Sequence, residues 1–263
     1  MGKAIHRAIV PDTYVRSDRP WAGLGSQFVL VTIATLFYFA VRMITSGADA
    51  IAFSNAESLV DFERTLGINL ETAMQRLIID NQAIVTLWNW VYIWLHWPVI
   101  LFAMFFLFRY HRPQYVLFRN AMILSGAIGL IIFASYPVAP PRFLDGFTDT
   151  VTELSTSYKI LQPPSIVNKY AALPSFHVGW NVLAGVVLFR ATNIRLLRIA
   201  AILSPTLMTF AVVFTANHWI IDAIVGATIA LASLGGAHLI RRVTRPVDDN
   251  AADDDRDLVG AAA

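Results

Sequence analysis

Residues 196–239 read LLRIAAILSPTLMTFAVVFTANHWIIDAIVGATIALASLGGAHL, two long apolar runs with a short polar step between them. A helix that spans a membrane needs about 20 mostly apolar residues. The runs at 196–215 and 218–239 both have this length. Because almost no chain lies between them, we expect two consecutive membrane spans whose ends meet at the polar step.

Four more runs of the same kind lie upstream, at 26–45, 83–108, 115–135 and 176–193. The chain of 263 residues is 56% hydrophobic and only 14% charged, with a mean hydropathy of +0.57, which is too apolar for a soluble domain. The sequence therefore predicts an all-α integral membrane protein built as a six-helix bundle.

Charge divides the chain into three parts. They are a basic cytoplasmic segment at 1–25, a six-span catalytic membrane domain at 26–245 and a disordered acidic tail at 246–263. The first run has no small-residue cleavage pattern behind it, so we expect it to stay as an anchor. With both termini inside, 14 of the 20 Lys and Arg residues face the cytoplasm. This bias predicts a plasma membrane protein with cytoplasmic termini and extracytoplasmic loops after spans one, three and five.

The two long outer loops differ in character. The first, residues 46–82, is predicted to form short amphipathic helices at the membrane interface. Its polar residues, set among Ile, Leu and Phe, are Glu63, Arg64, Glu71, Gln75 and Arg76. The second, residues 136–175, holds six of the twelve prolines, and we therefore expect it to be stiff and irregular.

Three polar clusters mark the places where the outer loops meet the spans. They are YPVAPPR at 136–142, NKYAALPSFH at 168–177 and NHWIID at 217–222. All three are predicted to lie on the same side of the membrane. Ionisable residues next to a span are costly unless they pair or line a wet cavity, so the clusters predict a functional site.

His218 and Asp222 are four residues apart and hence share one helix face. The carboxylate can accept a hydrogen bond from one imidazole nitrogen and fix the tautomer, which leaves the other nitrogen as a nucleophile or base. The alternative interpretation is an interfacial His and Asp that bond to ordinary neighbours.

The other two clusters hold residues suited to binding and protonating a phosphate ester. Ser175 can cap the following helix, whose first-turn N–H groups, near Ser175 and Phe176, attract phosphate. His177 in that turn is placed to give a proton to a departing oxygen. Arg142 supplies a positive fork that matches phosphate oxygens, and Lys169 is a candidate second charge. An ordinary Ser cap beside an accidental His, and an ordinary loop lysine, are the alternatives.

Other residue types narrow the choice of chemistry. Asn89, Tyr92 and His96 share one face of the second span, where they are candidates for contact with a headgroup or an acceptor. Interhelical hydrogen bonding explains them equally well, so they stay outside the catalytic set.

Without cysteines, and without further ligands for the histidines, we expect neither a metal nor a cofactor. The Lys and Arg residues form no single patch, which argues against nucleic-acid binding.

The motifs at 174–177, PSFH, and 218–222, HWIID, stand about forty residues apart. This pair resembles the signature of the type-2 phosphatidic acid phosphatase superfamily, membrane enzymes of six spans that share their site with vanadium haloperoxidases. The resemblance extends from about residue 60 to 240. It implies that His218 is a nucleophile that forms a phosphohistidine, that Asp222 orients it, and that His177 protonates the leaving group.

The sequence also departs from the usual phosphatases of this superfamily. They carry a Lys-x6-Arg-Pro motif and an Arg six residues before the nucleophile, whereas the latter position is Val212 here. The segment 140–142, PPR, stands where the first motif is expected. With Phe176 before the first His, the chain looks closer to the inositol phosphorylceramide synthase branch.

The missing positive charges bear on the substrate. A phosphomonoester brings up to two negative charges and a phosphodiester brings one, and each needs a partner in a partly dehydrated site. We therefore expect a membrane enzyme that transfers a phospho-headgroup, such as phosphoinositol, from a phospholipid to a hydroxyl acceptor. If Lys169 adds a second charge, a lipid phosphatase acting on phosphatidic acid or an isoprenyl (di)phosphate is the alternative. A transporter or scaffold with a vestigial site is the non-enzymatic alternative.

Overall fold

The computed structural model describes residues 49–154 and 169–243, together with six separate helical positions between 25 and 36. Within these ranges the regular secondary structure is helical, and one isolated β-bridge joins Val138 to Ala171. Nearly all of the predicted segment 1–25 and of the predicted first span, and the whole predicted tail at 246–263, lie outside the described residues.

The described residues form eight helices and one 3-10 turn, which lies at Pro141–Phe143. The helices are α1 (Asp49–Leu66), α2 (Glu71–Arg76), α3 (Gln82–Tyr110), α4 (Arg112–Ser135), α5 (Thr150–Leu154), α6 (Phe176–Ala191), α7 (Arg195–Phe214) and α8 (Ile220–Val243). Five of them coincide within a few residues with the last five predicted spans.

Four helices, α3, α4, α7 and α8, are long and apolar enough to cross a membrane. Helix α6 is apolar too, but its 16 residues make it only about 24 Å long, against about 30 Å for the hydrocarbon layer of a bilayer. Its length is limited by the Ser175 cap at one end and by Thr192 at the other. The all-helical membrane architecture is confirmed, whereas the count of six spans stays a prediction.

Short connections arrange the long helices side by side. One residue, His111, separates α3 from α4, three residues separate α6 from α7, and five separate α7 from α8. Connections of this length make consecutive helices antiparallel neighbours. The end of α4, the start of α6, the end of α7 and the start of α8 therefore lie at the same end of the bundle.

Helix α6 is the centre of the bundle and packs against α3, α4, α7 and α8. Glycines permit its close approach to its neighbours. A Cβ atom at Gly179 would lie 2.5 Å from the carbonyl oxygen of Gly226 on α8, and one at Gly185 would overlap the carbonyl of Ala201 on α7. The start of α6 is thus held directly against the start of α8.

Helices α1 and α2 fill the predicted amphipathic segment, and three of its five named polar residues point inward. Glu63, Glu71 and Gln75 are buried, while Phe62 and Leu77 are exposed. The polar groups turn inward because they satisfy backbone groups of other elements: both carboxylates accept hydrogen bonds from α8, and Gln75 exchanges two with Thr148. A location at the membrane interface stays a prediction.

Candidate active site

The two histidines that the sequence singled out lie next to each other. His177 is the second residue of α6, and His218 lies in the connection between α7 and α8. Their ring centroids are 5.7 Å apart, and the ring planes make an angle of 55°. Two imidazoles from stretches of chain about forty residues apart therefore face the same small volume.

The tautomer of His218 follows from its neighbour. Nδ1 lies 2.8 Å from the carbonyl oxygen of Ala172. Because a carbonyl oxygen only accepts hydrogen bonds, Nδ1 must carry the proton, and Nε2 keeps its lone pair. Burial lowers the pKa of His218 to about 3, and the positive charge of Arg142 acts in the same direction. The ring is therefore neutral at pH 7, with an unprotonated Nε2.

Asp222 is fully buried in the first turn of α8. Its Oδ2 accepts a hydrogen bond of 2.8 Å from the backbone N–H of Trp219, and the same oxygen lies 3.5 Å from Nδ1 of His218. The carbonyl of Ala172, not the predicted carboxylate, is therefore the nearer acceptor for His218. Asp222 instead lies behind the ring and is held in place by the backbone of Trp219.

The start of α6 is built as the sequence predicted, with Ser175 as its cap. The buried Oγ of Ser175 accepts from the N–H of Val178 at 3.4 Å, and its own N–H donates to the carbonyl of Asp222 at 3.0 Å. The N–H groups of Phe176 and His177, in the first turn, have no acceptor within the helix. The Phe176 ring stacks on Trp180 at 4.9 Å, so a phosphate would meet the backbone of this residue and not its side chain.

Arg142 lies in the 3-10 turn and is held beside His218. Its backbone N–H donates to the carbonyl of Ala216 at 2.8 Å, and its Nη1 donates to Oδ1 of Asn217. Its Nε lies 3.5 Å from Oδ2 of Asp149. The guanidinium is therefore anchored through the residue that precedes His218, and part of its charge is compensated.

Lys169 is the predicted phosphate-binding residue whose role stays a prediction. It is exposed, and within the described ranges no hydrogen bond or ion pair joins it to another residue. The described site therefore contains one cation in contact with the histidine segment, Arg142.

Two aromatic residues of α3 that were left out of the catalytic set pack against His177. The ring of Tyr92 is stacked on it at 4.6 Å, and the ring of His96 lies at 4.4 Å. Their spacing of four residues predicted a shared helix face, but not the depth at which that face meets α6. Asn89 contacts α5 instead, where it exchanges two hydrogen bonds with Thr150.

A buried amide joins these residues. Asn181 donates to Nδ1 of His96 at 3.1 Å and to the carbonyl of His177 at 2.8 Å, while its Oδ1 accepts from Ser204 at 2.7 Å. Since Nδ1 of His96 accepts, the proton of that imidazole is on Nε2. The orientation of His96 against His177 is thus fixed from α6 and α7.

Across the described ranges, no group of three or more His, Cys, Asp or Glu residues has an arrangement able to hold a metal ion. The described site groups imidazoles, carboxyl groups and one guanidinium. Side chains of these types can serve as nucleophile, acid and anion-binding group.

Comparison with known proteins points to one family. The sequence profile of the PAP2 superfamily matches residues 57–236, which contain every site residue described above. No curated protein and no solved structure matches the chain. Because the matched region covers well over half of the sequence, the protein belongs to the PAP2 superfamily, a membership that suggests phosphatase or phosphotransferase activity.

Proposed function

We propose that the protein is a membrane phosphotransferase in which His218 takes a phospho-headgroup from a phospholipid and passes it to a hydroxyl acceptor. One observation carries this proposal: the neutral His218, with its proton held on Nδ1, faces His177 at a ring separation of 5.7 Å. A nucleophile and an acid on opposite sides of a shared space are what an in-line displacement at phosphorus requires.

In the first step, the lone pair on Nε2 of His218 attacks phosphorus. The N–P bond forms while the bond from phosphorus to the lipid alcohol breaks. His177 takes up a proton when the anionic substrate binds beside it and donates that proton to the departing oxygen. The phosphorylated imidazole keeps its proton on Nδ1 and gains positive charge. The carbonyl oxygen of Ala172 and Oδ2 of Asp222 stabilise that charge, since both lie within 3.5 Å of Nδ1.

In the second step, an acceptor hydroxyl gives its proton to neutral His177 and attacks phosphorus. The N–P bond breaks, and both imidazoles return to their starting protonation states. Throughout, the non-bridging oxygens are bound by Arg142 and by the first-turn N–H groups of Phe176 and His177. These donors are fixed by the Ser175 cap and by Asn217 before substrate arrives.

The charge balance favours a phosphodiester donor. The charge of Arg142 is partly compensated by Asp149, and Lys169 is exposed. A doubly charged monoester would be left with an unpaired negative charge in a partly dehydrated site. A diester such as phosphatidylinositol brings a single negative charge, which Arg142 can pair.

The location of the site supports an extracytoplasmic orientation in the plasma membrane. Arg109, Arg112, Arg195 and Arg198 lie at the α3–α4 and α6–α7 connections, at the end of the bundle opposite the histidines. Basic residues concentrate on the cytoplasmic side of membrane proteins. We infer that the site opens to the outer side and takes its lipid from the outer leaflet.

The test uses purified protein in nanodiscs with two phosphorus-labelled donors, phosphatidylinositol and phosphatidic acid, each with and without a long-chain alcohol. We expect label to move from phosphatidylinositol into a new lipid only when the alcohol is present. Release of inorganic phosphate from phosphatidic acid alone would identify a lipid phosphatase instead. A folded protein that turns over neither donor would favour a scaffold or transporter.

Two variants separate catalysis from folding in the same assay. We expect His218→Ala and His177→Ala each to lower turnover at least about 10³-fold, because they remove the nucleophile and the proton donor. The matched control is His238→Ala, which changes a histidine of α8 far from the site. Undiminished turnover in either site variant contradicts the proposal.

A further inference from the structure

The first turn of α8 carries Asp222 and follows directly on His218, and it is capped from distant parts of the chain. The N–H of Ile220 donates to Oε1 of Glu71 at 2.8 Å, and the N–H of Ile221 donates to Oε1 of Glu63 at 2.8 Å. These contacts bridge 149 and 158 residues of sequence. The position of the first turn of α8 is therefore fixed by side chains of α1 and α2.

Two helix N-termini meet at the site, and they differ in whether their N–H groups are occupied. At α8, the N–H groups of Trp219, Ile220 and Ile221 all donate to buried carboxyl groups. At α6, the cap residue Ser175 accepts only from Val178, which leaves the first two N–H groups for an anion. The occupied N–H groups at α8 thus leave the start of α6 as the end with N–H groups open to an anion.

We propose that Glu63 and Glu71 are positioning residues: by binding the first turn of α8 they hold Asp222 and His218 at the phosphorus atom and keep the phosphate on α6. This inference rests on the proposed function. Neither glutamate touches substrate in this account, and both act through the position of α8.

The protonation state of Glu63 is part of this role. Its carboxyl is fully buried, and the charged groups that act on it are Glu71 of α2 and Asp222 of α8. Burial raises the pKa of Glu63 to about 8, and both neighbouring carboxyls act in the same direction. At pH 7 Glu63 is therefore neutral, and its ionisation above pH 8 adds a negative charge beside Asp222.

The first test compares Glu71→Ala and Glu71→Gln with the control Glu57→Gln, an exposed residue of α1. A misplaced reacting group costs about 10²-fold in rate for about 1 Å. We expect kcat of Glu71→Ala to fall by about that factor with KM little changed, because Arg142 and the start of α6 are intact. Glu71→Gln keeps an oxygen that accepts from Ile220, so it should recover most of the rate.

The second test measures the pH profile of kcat from pH 6 to 10 for the wild-type protein and for Glu63→Gln. We expect the wild-type activity to fall as the pH rises through about 8, and the activity of Glu63→Gln to stay level because a glutamine cannot ionise. Superimposable profiles, or an unchanged kcat in Glu71→Ala, overturn the positioning role in an active enzyme. A wild-type protein that turns over neither labelled donor refutes the proposed function instead.

Discussion

Adding a methyl group at Gly179 tests whether the contact between α6 and α8 sets the geometry of the site. Gly179 lies two residues after His177, and its backbone packs on Gly226, one turn beyond Asp222. A Cβ atom there would lie 2.5 Å from the carbonyl oxygen of Gly226, whereas ordinary contact begins at 3.4 Å. In Gly179→Ala the two helices must therefore separate by about 0.9 Å.

The magnitude follows from two opposing terms. Overpacking a close helix contact costs about 1–3 kcal/mol, while Gly→Ala within a helix stabilises by about 1 kcal/mol. The net loss of unfolding free energy is therefore at most about 2 kcal/mol, so the variant should still fold. Catalysis is more sensitive, because a shift of about 1 Å between His177 and His218 costs about 10²-fold in rate.

The assay measures kcat with labelled phosphatidylinositol and an alcohol acceptor, together with the melting temperature in the same nanodiscs. Gly235→Ala on α8 is the matched control, because a Cβ atom there meets nothing within 4 Å. We expect the control to keep full activity and Gly179→Ala to lose about 10²-fold. Equal activities in two folded variants refute the idea that the close helix contact aligns the histidines.

Further predictions concern charge and hydrogen bonding. We expect Arg142→Gln to lower kcat/KM at least about 10²-fold, whereas Lys169→Gln changes it less than about 2-fold in the same transfer assay, because only the first side chain contacts the site. The pKa of Glu63 is raised in the folded state, so its contribution to stability is complete below pH 4.5 and is lost as the pH rises to about 8. Thermal melts across this pH range should show the loss for the wild-type protein and not for Glu63→Gln. Ser204→Ala leaves Oδ1 of Asn181 without its donor and should lower the unfolding free energy by about 1–3 kcal/mol, measured by chemical denaturation, with a smaller effect on kcat.

The helices could be predicted from sequence because hydropathy is a local property. The predicted run 83–108 corresponds to the helix Gln82–Tyr110, and the run 196–215 corresponds to the helix Arg195–Phe214. The length of α6 was harder to predict. Its helix ends at Ala191, two residues before the end of the predicted run 176–193, and is too short for a span of standard length. Most of the first predicted span lies outside the described residues, so this span stays a prediction.

The grouping of His177, His218 and Arg142 was anticipated because motifs at span ends on one side of a membrane are brought together by antiparallel packing. The acceptor for Nδ1 of His218 could not be predicted, because a backbone carbonyl such as that of Ala172 has no sequence signature. The burial of Glu63 against α8 was also missed, since a contact across 158 residues leaves no trace in local periodicity.

The most direct test of a covalent His218 mechanism is to quench the enzyme during turnover of labelled phosphatidylinositol and to map the label by mass spectrometry. The mechanism predicts an acid-labile phospho-headgroup adduct on the imidazole of His218, which disappears when acceptor alcohol is added and is absent from His218→Ala. An adduct on another residue, or steady turnover by His218→Ala, would contradict it.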